Sequence, residues 1–258
     1  MGWHEIKGLQ PDEDNFRLRI FYYLTFYYEK FRNYIMKGSL YRVDLHTHSI
    51  ISHDGGITAL QYEKVLQSGE LDCIAITDHN ETSFARIMQK KLGDKIIIGE
   101  EISTREGEII GLYLKETIPG GLRIEEAVAS IKHQGGFVYV PHPFELFRKG
   151  LRRETAERML SDIDIFEVFN GRGRFRGLPL AAKQFAVKHA LIQAASSDAH
   201  GWKGLGYTNS MLAMFPTQKN LKELLLNATL NKTYAPFYTF FYPMVNRIKN
   251  TFVLFGEQ

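Results

Sequence analysis

Tyr41-Arg42-Val43-Asp44-Leu45-His46-Thr47-His48-Ser49 decides the fold of this chain. A short alternating run ends in two histidines, two residues apart. In an extended strand, positions i and i+2 point to one side, so His46 and His48 aim at one point. Neutral imidazoles converging at a strand end suit a transition metal. The pair also occurs on ordinary exposed strands, so its weight comes from the ligand-type residues at later strand ends.

From Leu40 onward, short apolar runs alternate with helical stretches. Strands are predicted at Arg42–Leu45, Cys73–Ile76, Ile96–Ile98, Ile109–Leu114, Phe137–Val140, Ile165–Phe169 and Leu191–Ala195. Helices are predicted at Ala59–Ser68, Ser83–Lys91, Ile124–His133, Arg153–Leu160 and Leu178–His189. This alternation indicates an α/β fold with a largely parallel sheet, and its number of units favours a barrel over an open sheet. In such a barrel the functional residues sit at the carboxyl ends of the strands. Ligand-type side chains recur there: His53-Asp54-Gly55-Gly56 after the first strand, then Thr77-Asp78-His79-Asn80, Gly99-Glu100-Glu101, Pro141-His142-Pro143, Asn170-Gly171-Arg172 and Ser197-Asp198-Ala199-His200.

Five motifs in this order resemble the PHP (polymerase and histidinol phosphatase) family: Asp44-Leu45-His46-Thr47-His48-Ser49, Ala75-Ile76-Thr77-Asp78-His79-Asn80, Glu101-Ile102-Ser103, Pro141-His142-Pro143 and Ser197-Asp198-Ala199-His200. The resemblance covers roughly residues 41–205 and implies a distorted (β/α)7 barrel with a cluster of up to three metals. Matched motif by motif, it implies that His46, His48, Glu101 and Asp198 hold a first metal. Glu101 would bridge to a second that His142 also binds, and Asp54, His79 and His200 would hold a third. Mixed nitrogen and oxygen donors suit Zn, Mn or Fe, two or three ions per chain. His53 is expected at the rim or against substrate, and Glu100 on the strand face opposite Glu101. In one respect the chain departs from the family. Many members carry a further histidine shortly after the Glu101 motif, and Gly107–Tyr113 contains none, so the second site looks short of a ligand.

The implied activity is that of a metal-dependent phosphoesterase, using metal-activated water on a small phosphomonoester such as a nucleotide or sugar phosphate. Arg148, Asn170 and Arg172 are the expected substrate contacts, with Arg174 and Arg176 extending the basic loop. His79, His200 or a second water is the candidate general acid. Two alternatives stand beside this reading. One is an exonuclease-like phosphodiesterase, which the absence of a long Lys/Arg run disfavours. The other is a non-catalytic metal-binding scaffold at a membrane surface.

The remainder of the chain is aromatic. Residues 1–39 form an expected N-terminal helical extension, with a helix over 12–36 that either packs on the main domain or acts as an interfacial or oligomerising helix. Residues 40–215 form the barrel domain. Residues 216–258 are expected to be helical, including Lys219–Leu230, and to pack on the barrel; contact of both termini with a membrane surface is the alternative. A formal charge of +3 is too small to argue for nucleic acid. The single cysteine, Cys73, excludes an intramolecular disulfide framework, and with no recognisable signal peptide a reducing, cytoplasmic home is expected.

Overall fold

The computed structural model describes residues 40–175 and 178–256, so the expected helix over 12–36 and Arg176 lie outside the described residues. It has nine strands: β1 (Tyr41–Asp44), β2 (Cys73–Ile76), β3 (Ile96–Thr104), β4 (Gly107–Leu112), β5 (Phe137–Val140), β6 (Ile165–Asn170), β7 (Gln193–Ser196), β8 (Thr208–Leu212) and β9 (Thr229–Lys232), counted among the described residues. Between and after them come α1 (Ala59–Gln67), α2 (Ser83–Leu92), α3 (Ile124–His133), α4 (Arg153–Arg158), α5 (Pro179–Lys188), α6 (Leu221–Leu226) and α7 (Tyr242–Gly256). Local chemistry starts several of these. Thr58 and Gln61 form a reciprocal capping box at α1, and Pro179 occupies the first turn of α5, where a missing N–H costs nothing.

The strands form one sheet in the order β7-β6-β5-β4-β3-β2-β1-β8-β9. Pairs β1–β2, β2–β3, β5–β6 and β6–β7 are parallel, and β2 and β6 are buried along their whole length, as strands covered on both faces must be. By contrast, β4 runs antiparallel to both β3 and β5. Only Arg105 and Glu106 separate β3 from β4, too few residues for a crossover, so the two pair as a hairpin.

Two strands lie beyond the seven expected. β8 pairs antiparallel with β1, and β9 with β8. The helix expected over Lys219–Leu230 ends at Leu226, and Thr229–Lys232 joins the sheet instead. Pairing with the open edge of β8 outweighs helix propensity there. The ring nearly closes between β7 and the β1–β8 side. Ser210 Oγ accepts from Ala195 N–H and donates to Ala195 C=O, both at 3.1 Å, while Asp198 N–H donates to His46 C=O at 2.9 Å. His48 N–H then donates to Ala199 C=O at 2.9 Å, so the ends of β1 and β7 are laced together where the histidines emerge.

Val43, Ala75, Ile110, Tyr139 and Ala194 belong to one buried apolar cluster contributed by five strands. A second cluster, with Val138, Phe166 and Phe185, joins the sheet to α3 and α5. Cys73 is buried. Among the described residues no helix is long and apolar enough to cross a membrane.

Asp164, just before β6, ties three elements together. It accepts from Val138 N–H at 2.9 Å and from the ammonium groups of Lys132 and Lys222. Although half-burial opposes its charge, Lys132 and the Val138 amide hold its carboxyl below the usual range. A carboxyl lowered on folding stabilises the fold above its unfolded pKa and loses that effect as pH falls through its folded value. Asp164→Ala should therefore cost about 1–3 kcal/mol near neutral pH. Melting curves across pH should show the difference from wild type shrinking below about pH 4.

Candidate metal centre

His46 and His48 leave β1 on the same side, and the two Nε2 atoms stand 3.1 Å apart. Glu101 Oε2 lies 3.3 Å from the first and 3.1 Å from the second. Asp198 Oδ1 lies at 3.6 and 3.5 Å. A tetrahedral ion with ligand bonds of ~2.0–2.1 Å has ligand–ligand edges of about 3.3 Å. The separation between the two histidines and the four between histidine and carboxylate lie near that figure, and all four residues are buried. His142 Nε2 approaches the other oxygen of Glu101 at 2.9 Å, so Glu101 stands between two groups of donors.

The ring tautomers are set by the nitrogens that face away. His46 Nδ1 lies 3.3 Å from Glu167 Oε1, His48 Nδ1 lies 3.2 Å from Ser52 Oγ, and His200 Nδ1 lies 2.9 Å from the Asp198 carbonyl. A carboxylate or carbonyl can only accept, so Nδ1 of His46 and His200 carries hydrogen and Nε2 presents its lone pair to the centre. Glu167 is absent from the residues singled out by sequence. It is buried in the middle of β6, and also accepts from Tyr139 O–H at 2.7 Å, His142 N–H at 2.6 Å and Asn170 Nδ2 at 2.9 Å. A β-bulge between Glu167 and Phe169 lets Glu167 and Asn170, three residues apart, meet on one face. An acid inside an otherwise apolar strand was the available signal.

Asp54, His79 and His200 form the third grouping. Asp54 Oδ1 lies 3.3 Å from His200 Nε2 and 3.6 Å from His79 Nε2. Asp54 Oδ1 and His79 Nδ1 are buried with no hydrogen-bond partner among the described residues, as donors aimed at an ion would be. Together these nitrogen and carboxylate oxygen atoms make several overlapping donor sets that fit divalent transition ions. His142 and Asp198 both have positive φ, 27° and 52°, a strained backbone of the kind that functional sites retain. His53 is exposed at the rim, its Nε2 3.8 Å from Asp54. Glu100 points away from the centre and accepts from Ile118 N–H at 2.9 Å.

The expected substrate contacts are all at the cleft, in different states. Arg148 donates to Asp198 Oδ2 at 2.6 Å, to Asn170 Oδ1 at 2.8 Å and twice to Glu145, so its donors are engaged in holding Asp198. Asn170 also accepts from Arg172 N–H at 3.0 Å, capping its turn. Arg172 Nη1 lies 3.3 Å from Asp198 and 3.2 Å from His200, while its buried Nε lacks a partner among the described residues. With Lys149, Phe147 and Arg247, these arginines line a cavity of ≈ 120 Å³ over the histidines.

The charges balance unevenly. Burial opposes the charged form of His46, but Asp198 and Glu101 outweigh it and hold the imidazole well above its usual range. His48 is likewise driven up to about 9, against burial, by hydrogen bonds to the same two carboxylates. Burial pushes His79 down to about 3 and, reinforced by Arg172, His200 down to about 4. Glu101 and Asp198 stay ionised well below the carboxylate range despite burial, held there chiefly by His46 and Arg172 respectively. The cluster thus recruits positive charge, as protons when no ion is bound.

No family model matches the chain. Over 152 residues it is 34% identical to the uncharacterized protein MJ1587 of Methanocaldococcus jannaschii, covering 54% of this chain and 89% of that protein. The uncharacterized protein MJ0417 of the same archaeon is 37% identical over 172 residues, 62% of this chain and 65% of that protein. Among solved structures, a two-domain protein from Bacteroides vulgatus, containing a predicted PHP-like metal-dependent phosphoesterase, has the same fold. It superposes with a TM-score of 0.58 at 21% identity, over 81% of this chain and 71% of that one. By sequence the chain groups with MJ1587, and by fold it is PHP-like. Within this PHP-like frame the segment without a histidine is not without a donor. Glu108, at the start of β4, pairs in register with Ser103, two residues on from Glu101, so it faces the same side. Its Oε1 is buried 3.9 Å from His79 Nδ1 and accepts from Ser103 Oγ at 3.1 Å. Burial, and then the charge of Glu101, raises its carboxyl to about 7. A carboxylate thus stands where the family resemblance leads one to expect an imidazole, and hairpin register is the signal that points it inward.

Two outcomes are expected. Glu167→Gln should weaken metal binding about 10–100-fold by releasing His46, as measured by titration against a chelator. Metal uptake should also displace protons from His46 and His48. Their raised values mean that apparent affinity falls as pH drops from about 9 toward 6, with proton release visible by calorimetry in buffers of different ionisation enthalpy.

Proposed function

We propose that the chain is a metal-dependent phosphoesterase that hydrolyses a small phosphomonoester, a nucleotide or sugar phosphate, using two or three Zn, Mn or Fe ions. The observation that carries this reading is the donor quartet His46, His48, Glu101 and Asp198, with histidine–histidine and histidine–carboxylate separations of 3.1–3.6 Å, whose two carboxylates line an arginine-bearing cleft. His142 and Glu108 would complete a second ion beside Glu101, and Asp54, His79 and His200 a third. Such ions supply a water of lowered pKa and Lewis-acid stabilisation of phosphoryl oxygens. The likeness to the Bacteroides vulgatus phosphoesterase fold supports the same reaction class.

The remaining roles belong to the chain itself. Arg172, whose Nε–H is uncommitted among the described residues, binds a phosphoryl oxygen and stabilises the charge that develops on it. Arg148 acts indirectly, holding Asp198 in place through Oδ2 so that Oδ1 faces the histidines. Burial keeps His79 and His200 neutral, which suits them to hold an ion and leaves neither an imidazolium proton for the leaving alcohol, so a second water is the general acid in this reading. A strand-end phosphodiester is the second reading. A neighbouring cavity of ≈ 490 Å³, lined by Arg105, Lys149 and Arg152, shares Lys149 with the cleft and offers room for a further anionic group.

Elemental analysis of protein purified without chelator, paired with phosphate release from a panel of mono- and diesters under Mn or Zn, tests both readings. Turnover lost by at least about 10³-fold in His46→Ala and Asp198→Ala, and a KM raised by about tenfold or more in Arg172→Ala, is the expected result. Diester turnover exceeding that of every monoester would favour the second reading. Tightly held metal with no turnover on any ester would overturn both and point to a scaffold.

A further inference from the structure

The C-terminal helix α7 presses one face onto the two loops that carry Asp54 and His200. Tyr242 and Asn246, four residues apart, lie on that face. Asn246 is buried, and its Nδ2 donates to the Asp54 carbonyl at 3.0 Å and to the His200 carbonyl at 2.8 Å. One amide thereby fixes the backbone of two residues whose side chains meet 3.3 Å apart. Arg247 Nη2 donates to Asp54 Oδ2 at 2.9 Å, which leaves Oδ1 facing the two histidines. Both loops make room for the helix. A Cβ on Gly56 would stand 2.7 Å from the Asn246 amide, and one on Gly201 would stand 2.6 Å from the Tyr242 ring.

We infer that α7 is a working part of the metal centre: Asn246 and Arg247 are positioning residues that set Asp54 and His200 for the third ion. Arg247 holds Asp54 to one-oxygen ligation by engaging the other oxygen, and Asn246 sets the distance between the two loops. This inference rests on the metal-centre part of the proposed function and not on its substrate or reaction.

The test uses the full-length protein, dialysed against graded Mn2+ and assayed for ions bound per chain, with Asp54→Ala marking the ion in question. Arg247 is largely exposed, at 60% of its side chain, so Arg247→Ala should leave the melting temperature unchanged. Its affinity for the marked ion should fall by about tenfold or more, and Arg247→Lys should recover part of the loss. Gly56→Ala, which displaces Asn246 without touching a ligand, should weaken the same ion. Binding of the other ions should stay close to wild type in each variant. Wild-type affinity in both Arg247→Ala and Gly56→Ala would overturn the inference. So would equal weakening of every ion, or a wild-type chain with no ion sensitive to Asp54→Ala. Because the readout is ion binding, a failure to hydrolyse any ester would defeat the proposed function while leaving this result standing.

Discussion

Buried carboxylates crowded against one another are the constraint on which this structure depends. Asp54, Glu101, Glu108, Glu167 and Asp198 all lie within a few side chains of each other at the barrel mouth, almost without solvent. Burying an ionised carboxylate costs several kcal/mol unless opposite charge and hydrogen bonds surround it. The chain supplies both. His46 and His48 are drawn toward the charged form, Arg148 and Arg172 grip Asp198 from its two oxygens, and the Tyr139 hydroxyl and His142 amide donate to Glu167. Glu108 is the exception, raised to about 7 by burial and then by the negative charge of Glu101 beside it. Such a balance is incomplete without a cation of some kind, and the donor sets could hold metal ions.

That constraint explains the second ring of residues. Glu167 touches four different partners, Tyr139, Asn170, His142 and His46, from a single bulged strand. Tyr139 in turn belongs to the apolar cluster of the barrel. The orientation of His46 is therefore set through a chain of rigid contacts that begins in the core. A site built on strand ends and braced from the core keeps its donors near ion-binding geometry at little further entropic cost.

The barrel closes on this site in two ways. Lacing of β1 to β7 brings Asp198 to His46, and addition of β8 and β9 carries the chain back across the sheet so that α7 can return to the mouth. The C-terminal segment is thus not a detached appendage. Its first helical turns rest on two glycine-bearing loops at the metal centre.

Much of this was legible in the residues alone. The α/β alternation, the strand-end histidines and the five ordered motifs led to a PHP-like barrel and to the donors His46, His48, Asp54, His79, Glu101, His142, Asp198 and His200, which the structure brings together. Those signals are local, because strand alternation and loop position fix which way a side chain leaves the backbone. What escaped was set by partners distant in sequence. Glu108 faces inward through its register with β3, Glu167 meets Asn170 through a bulge, and Thr229–Lys232 is a strand because β8 offers an edge. Arg148 reads as a substrate contact until Glu145, Asn170 and Asp198 are seen to engage its donors. Sequence determined the kind of donor and the strand end from which it projects. Only the tertiary structure decided which of these side chains stand within reach of one another and what holds them, since those depend on distances between segments up to 193 residues apart.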